Sequence, residues 1–156
     1  MDDLAHDTAG VVARPPLIFA GALGLGLFLQ KLVPVTFLPR SWAKYVGWPL
    51  VVVSFLPAGS AALAMRRAKT ALDPHQSTTA IVVEGPFKYT RNPIYVSFTL
   101  LYAGITLLAN SLWTALLLPF VLVVMQRGVI EREERYLERK FGAEYLQYKA
   151  GVRRWL

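Results

Sequence analysis

Charged and uncharged stretches alternate along the chain in blocks too long for the core of a small soluble protein. From Asn92 to Gln126 thirty-five residues pass without a charge, and as a single helix at about 1.5 Å per residue they would reach about 52 Å, against about 30 Å for a bilayer core. The run must fold back on itself. Asn110-Ser111 is the strong polar break near its middle, so the pattern predicts helices over 93–109 and 112–130 joined by a tight turn, with Pro119 kinking the second. Pro15–Gln30, extended by Leu32 and Val33, predicts a span over 14–33, and Gly21, Gly24 and Gly26 give it a small-residue face suited to close helix approach. Tyr45–Met65, bracketed by Lys44 and Arg66-Arg67, predicts a further span over 45–66, with Tyr45 and Trp48 at the interface and bends at Pro49 and Pro57.

Beyond Gln126 the pattern becomes charged and periodic. At about 100° per residue, Ile130, Leu137, Phe141, Tyr145 and Tyr148 fall in a stripe about 60° wide. That stripe predicts an amphipathic helix over 129–149, with an end or bend at Gly142 and a short helix resuming at Glu144-Tyr145. Glu133 and Glu134 border the stripe, and Arg127 projects on the same side. Arg153-Arg154-Trp155 reads as a basic and aromatic interfacial anchor. The fold class is therefore all-α: a bundle of about four membrane helices with a cytoplasmic C-terminal amphipathic helix. An acidic cytoplasmic tail over 1–13 precedes a single domain over 14–156.

Composition agrees with a membrane reading. Of 156 residues 54% are hydrophobic, and the mean hydropathy is +0.40. Cysteine is absent, which excludes disulfides, thiolate nucleophiles and cysteine-ligated metals. The net charge of +7 sits beside apolar segments rather than in a separate basic domain, so it points to anionic lipid and not to nucleic acid. Fourteen of the seventeen Lys and Arg residues fall on one side of four spans, which predicts that both termini and the loop before Asn92 are cytoplasmic, in a membrane of the bacterial inner-membrane type.

The chemistry concentrates in that loop. Gly85-Pro86 marks a turn, and Asn92-Pro93 pushes Asn92 out of helical geometry while suiting Pro93 to the first turn of the next helix. The loop over 73–95 thus delivers Tyr89, Arg91 and Asn92 to the mouth of an apolar hairpin, on the side where Glu133 and Glu134 lie. Ordinary roles are open to each residue: Tyr89 and Tyr95 as interfacial anchors, Arg91 as a topogenic charge, the two glutamates as salt-bridge partners of Arg91 or Arg127. His75 offers a base upstream of the loop, or a solvated side chain.

Gly85-Pro86-Phe87-Lys88-Tyr89-Thr90-Arg91-Asn92-Pro93-Ile94-Tyr95, followed by Glu133-Glu134-Arg135-Tyr136-Leu137 and Phe141-Gly142-Ala143-Glu144-Tyr145, resembles the isoprenylcysteine carboxyl methyltransferase family, whose wider clan includes phospholipid N-methyltransferases. The resemblance implies an integral membrane methyltransferase that uses S-adenosyl-L-methionine and releases S-adenosyl-L-homocysteine. Carried over residue by residue, it makes Gly85, Pro86, Tyr89, Arg91, Asn92, Pro93, Tyr95, Glu133 and Glu134 cofactor-binding candidates. Arg91, Arg127 and His75 become candidates for the chemistry itself, and no metal is implied. Many relatives have histidine at the position of Asn92 and glycine at that of Ser97; eukaryotic members have arginine where this chain has Val129, and Arg127 is the candidate substitute. The implied acceptor is a lipophilic or prenylated molecule or a membrane lipid, with carboxylate O-methylation favoured. Phospholipid or small-amine N-methylation and thiol S-methylation are the alternatives, and a catalytically silent membrane scaffold is the non-enzymatic one.

Overall fold

Proline and polar residues decide where each helix begins. Pro15 and Pro16 open the first helix and Pro93 opens the third, each at a position whose amide has no intrahelical partner. Ser111 caps the fourth, its side chain accepting from the Thr114 amide at 3.3 Å. The computed structural model describes residues 8–72 and 76–156, and among these every regular element is helical. The elements are α1 (Pro15–Leu32), α2 (Arg40–Arg67), α3 (Pro93–Ala109), α4 (Leu112–Met125), α5 (Glu131–Phe141) and α6 (Ala143–Gly151). A 3-10 turn, Gly85–Lys88, precedes α3, and a π-helical turn, Gln126–Ile130, carries α4 into α5 without a break. The helix expected over 129–149 divides at Gly142, whose φ of +54° suits glycine.

The helices form a membrane bundle in which α2 packs on α3 and α1 packs on α4. At the first of these contacts Gly47 and Gly104 bring the backbones together: a Cβ on Gly104 would lie 2.9 Å from the Val51 amide nitrogen. The small-residue face expected on α1 is used only in part. Gly26 abuts Thr114 of α4, where a Cβ would come within 2.9 Å of its Cα, whereas Gly21 and Gly24 face open space. Phe19, Tyr102, Val121, Met125, Val129 and Ile130 form the core, with Phe19 edge-on to Tyr102. Outside it, Leu25 and Phe28 of α1, Phe55 and Leu56 of α2, and Phe120 and Val123 of α4 are exposed. So large an apolar surface is what lipid contact requires. Among the described residues three helical stretches have the length and apolarity to cross a membrane, and α3 is shorter, its 17 residues rising about 26 Å.

The two ends of the bundle are built differently. At one end Asn110 closes the α3–α4 turn with φ +47°, and its side chain clamps the α1–α2 loop. Its Oδ1 accepts from the Phe37 and Leu38 amides, and its Nδ2 donates to the Leu38 carbonyl at 2.7 Å. At the other end the π turn frees the Gly128 carbonyl to accept the Val12 amide at 3.1 Å. The turn also slips the buried stripe by one residue, from Val121, Met125 and Val129 to Ile130 and Glu134. Beyond Arg127 the helix is charged and lies outside the apolar segment.

Candidate functional site

The loop before α3 is shaped by three local requirements. Gly85 opens the 3-10 turn with φ +59°, Pro86 occupies its second position, and the buried Thr90 turns its hydroxyl to accept the Asn92 amide at 3.1 Å. The loop is then clasped by the extended segment after α6. The Arg91 amide donates to the Arg153 carbonyl at 2.9 Å, while the Thr90 hydroxyl and the Asn92 side-chain amide both donate to the Arg154 carbonyl, at 3.2 and 2.8 Å. Tyr148 of α6 adds a bond from its hydroxyl to the Phe87 carbonyl at 2.8 Å. Asn92 is thus committed to holding the chain.

Side chains from the loop, α5 and α6 meet in a charged cluster. Glu134 is buried, and Arg154 grips both of its oxygens, Nε to Oε1 at 2.8 Å and Nη2 to Oε2 at 2.7 Å. That bond, foremost, raises the Arg154 pKa. Arg91 Nη1 lies 3.2 Å from Glu134 Oε1, close enough for ion pairing but out of line for a hydrogen bond. Among the described residues neither Nε nor Nη1 of Arg91 has a hydrogen-bond partner, although the Arg91 side chain is only 9% exposed. Glu133 accepts the Tyr95 hydroxyl at 2.6 Å. Burial pushes the Glu133 carboxyl up to about 7; the Tyr95 bond opposes the rise and the Glu134 charge adds to it. Tyr145 is pushed up to about 12 by burial and then by the Glu134 charge, against the pull of Arg91, and Tyr148 is raised chiefly by burial.

These groups border a cavity of about 150 Å³. Of the residues singled out from sequence, the fold brings Arg91, Asn92, Pro93, Tyr95, Glu133 and Glu134 to its wall. It does not bring Tyr89, which is 75% exposed, nor Gly85 and Pro86, which shape the turn behind it. Arg127 is exposed and borders a separate recess between α3 and α4, beside Thr99, Gln126 and Trp155. His75 lies outside the described residues. Phe87, Tyr145 and Tyr148 supply aromatic walls that sequence reasoning left unassigned. Arg154 was also missed as a site residue, and instead of anchoring in an interface it turns inward, with Trp155 Nε1 donating to Gln126 Oε1 at 3.0 Å. The signal for it existed: a carboxylate aimed at an apolar face needs a cation, and the bend at Gly142 folds α6 and its basic tail back along α5.

The cavity offers an anion seat at Arg91, a carboxyl of near-neutral pKa at Glu133, and aromatic surface between them. Comparison with known proteins adds one family and one relative. The family model described as phospholipid methyltransferase matches residues 42–144, well over half of the chain. An uncharacterized protein of Haemophilus influenzae is 51% identical over 65 residues, which cover 40% of this chain and 100% of that protein. No solved structure matches at a significant level.

Proposed function

Since the chain belongs to the phospholipid methyltransferase family, we propose that it is an integral membrane enzyme transferring a methyl group from S-adenosyl-L-methionine to a lipophilic acceptor. The observation that carries this reading is the pair of buried Arg91 nitrogens at the cavity wall that make no hydrogen bond, because a guanidinium held that way can still take a ligand carboxylate. The residues fit the cofactor: Arg91 would hold the carboxylate of its amino-acid end, and Phe87, Tyr145 and Tyr148 would flank its ring and its cationic centre. When bound, the sulfonium supplies both the methyl group and a thioether leaving group. The chain's own task is positioning, which in model reactions is worth about 7–11 kcal/mol. Glu134 acts as counter-charge, and Asn92 with the Gly85-Pro86 turn fixes the loop.

The family and Glu133 together support the amine of a phospholipid headgroup as acceptor. Glu133, whose carboxyl is raised to about 7, would take the proton that the headgroup ammonium must lose before its nitrogen can accept the methyl group, and would release it afterwards. Carboxylate O-methylation is the second reading, since it needs no base. Arg127, at the separate recess beside Thr99, would meet a headgroup phosphate at the membrane surface. The test uses the full chain in proteoliposomes of phosphatidylethanolamine and phosphatidylglycerol with methyl-labelled cofactor. The expected result is base-stable label in the amine lipid, with Arg91→Ala lowering the rate about tenfold or more. Base-labile label would shift the reading to ester formation; absence of both label transfer and cofactor binding would overturn it.

A further inference from the structure

Resting on that cofactor reading, we propose that Arg154 is a positioning residue: its two-pronged hold on Glu134 keeps that carboxylate from closing onto Arg91, and so reserves Arg91 for an anionic ligand group. A carboxylate with both oxygens taken by one guanidinium is satisfied in charge and in geometry. Glu134, at 7% side-chain exposure, is in that state. Arg91 Nη1 then pairs with it by charge at 3.2 Å while neither Nε nor Nη1 gives it a hydrogen bond. Arg154 is itself fixed from both ends. Its carbonyl takes the Thr90 and Asn92 side chains of the loop, its guanidinium takes α5, and the neighbouring Trp155 is tied to Gln126. Together with the Arg91–Arg153 and Tyr148–Phe87 bonds, Arg154 therefore helps set the spacing between the two halves of the site.

If Arg154 is removed, the buried Glu134 carboxylate is left with the buried Arg91 at 3.2 Å and, farther off, the more exposed Lys149 at 3.9 Å, so the nearer and less solvated Arg91 is the stronger partner. Burial makes an unpaired charge costly, so Glu134 turns to Arg91 and fills the seat intended for ligand. The effect is confined to the ligand's carboxylate. It is read by calorimetry on the full chain in lipid nanodiscs with two probes: S-adenosyl-L-homocysteine, and 5′-methylthioadenosine, which lacks the amino-acid carboxylate. For Arg154→Ala the Kd of the first rises about tenfold or more and that of the second stays within about twofold. Adding Glu134→Gln to Arg154→Ala restores most of the lost affinity, because the competing carboxylate is gone. Arg154→Lys falls between, since an ammonium cannot take both oxygens in one plane. Equal weakening of both probes, unchanged affinity for the first, or a double variant weaker than Arg154→Ala alone overturns the inference while the cofactor reading stands on wild-type binding and its loss in Arg91→Ala. A wild-type chain that binds neither probe overturns both. Arg154→Lys keeps the charge, so its thermal melt and binding remain informative if Arg154→Ala fails to fold.

Discussion

Glu133 shows how one side chain makes the whole fold sensitive to pH. Its carboxyl is raised to about 7 in the folded protein and takes its ordinary value of 4.5 when unfolded. Below 4.5 both states are protonated and the folded state carries no penalty. As pH climbs through the window from 4.5 to 7, the unfolded chain ionises first and stability falls, by on the order of 1–3 kcal/mol. Glu133→Gln removes that slope. Melts of the purified protein in detergent at pH 5 and pH 8 should show wild type losing stability relative to the variant at the higher pH; parallel behaviour would mean that Glu133 ionises normally. At this scale the sequence was informative about identity and poor about partnership. Arg91, Tyr95, Glu133 and Glu134 stood out, but the bond from Asn92 to the Arg154 carbonyl spans 62 positions and depends on a bend at Gly142 whose angle no local pattern specifies.

At the scale of elements, helix crossings govern stability and only some glycines take part. Gly104→Val places side-chain atoms against the Val51 backbone and should cost about 1–3 kcal/mol. Gly21→Val points into open space and should leave the melting temperature within a degree or two of wild type. Equal destabilisation by the two would contradict the α2–α3 crossing described above. The starts of α3 and α4 were legible because Asn92-Pro93 and Asn110-Ser111 punctuate an otherwise uniform apolar run. The choice among Gly21, Gly24 and Gly26 was not, since one turn's difference in facing depends on where the neighbouring helix lies. Nor was the π turn, because Gln126-Arg127-Gly128-Val129-Ile130 carries no residue that forbids an ordinary helix.

For the molecule as a whole, the charged end and the amide-clamped end should face opposite sides of the membrane. The chain contains no cysteine, so single replacements report cleanly. Lys88→Cys sits in the loop of the charged end and Thr36→Cys in the loop held by Asn110; both positions are exposed. In intact cells an impermeant maleimide should label Thr36→Cys and spare Lys88→Cys until the membrane is opened. The reverse pattern would invert the proposed topology and put the cavity outside. The apolar exterior and the grouping of Lys and Arg were both visible in composition and order, because lipid and surface charge act on whole segments rather than on single contacts.

The extra residue in the π turn also bears on how related chains should be compared. A helical wheel drawn continuously from α4 into α5 rotates every residue after Ile130 by about 100° from its true heading, since one position is spent without advancing the face. Glu133 and Glu134 are then misassigned relative to the core above them. A relative lacking one residue between 126 and 130 would run α4 into α5 as an uninterrupted α-helix and still aim the same charged sequence at the loop, so a one-residue alignment gap in that interval leaves the facing of both glutamates intact.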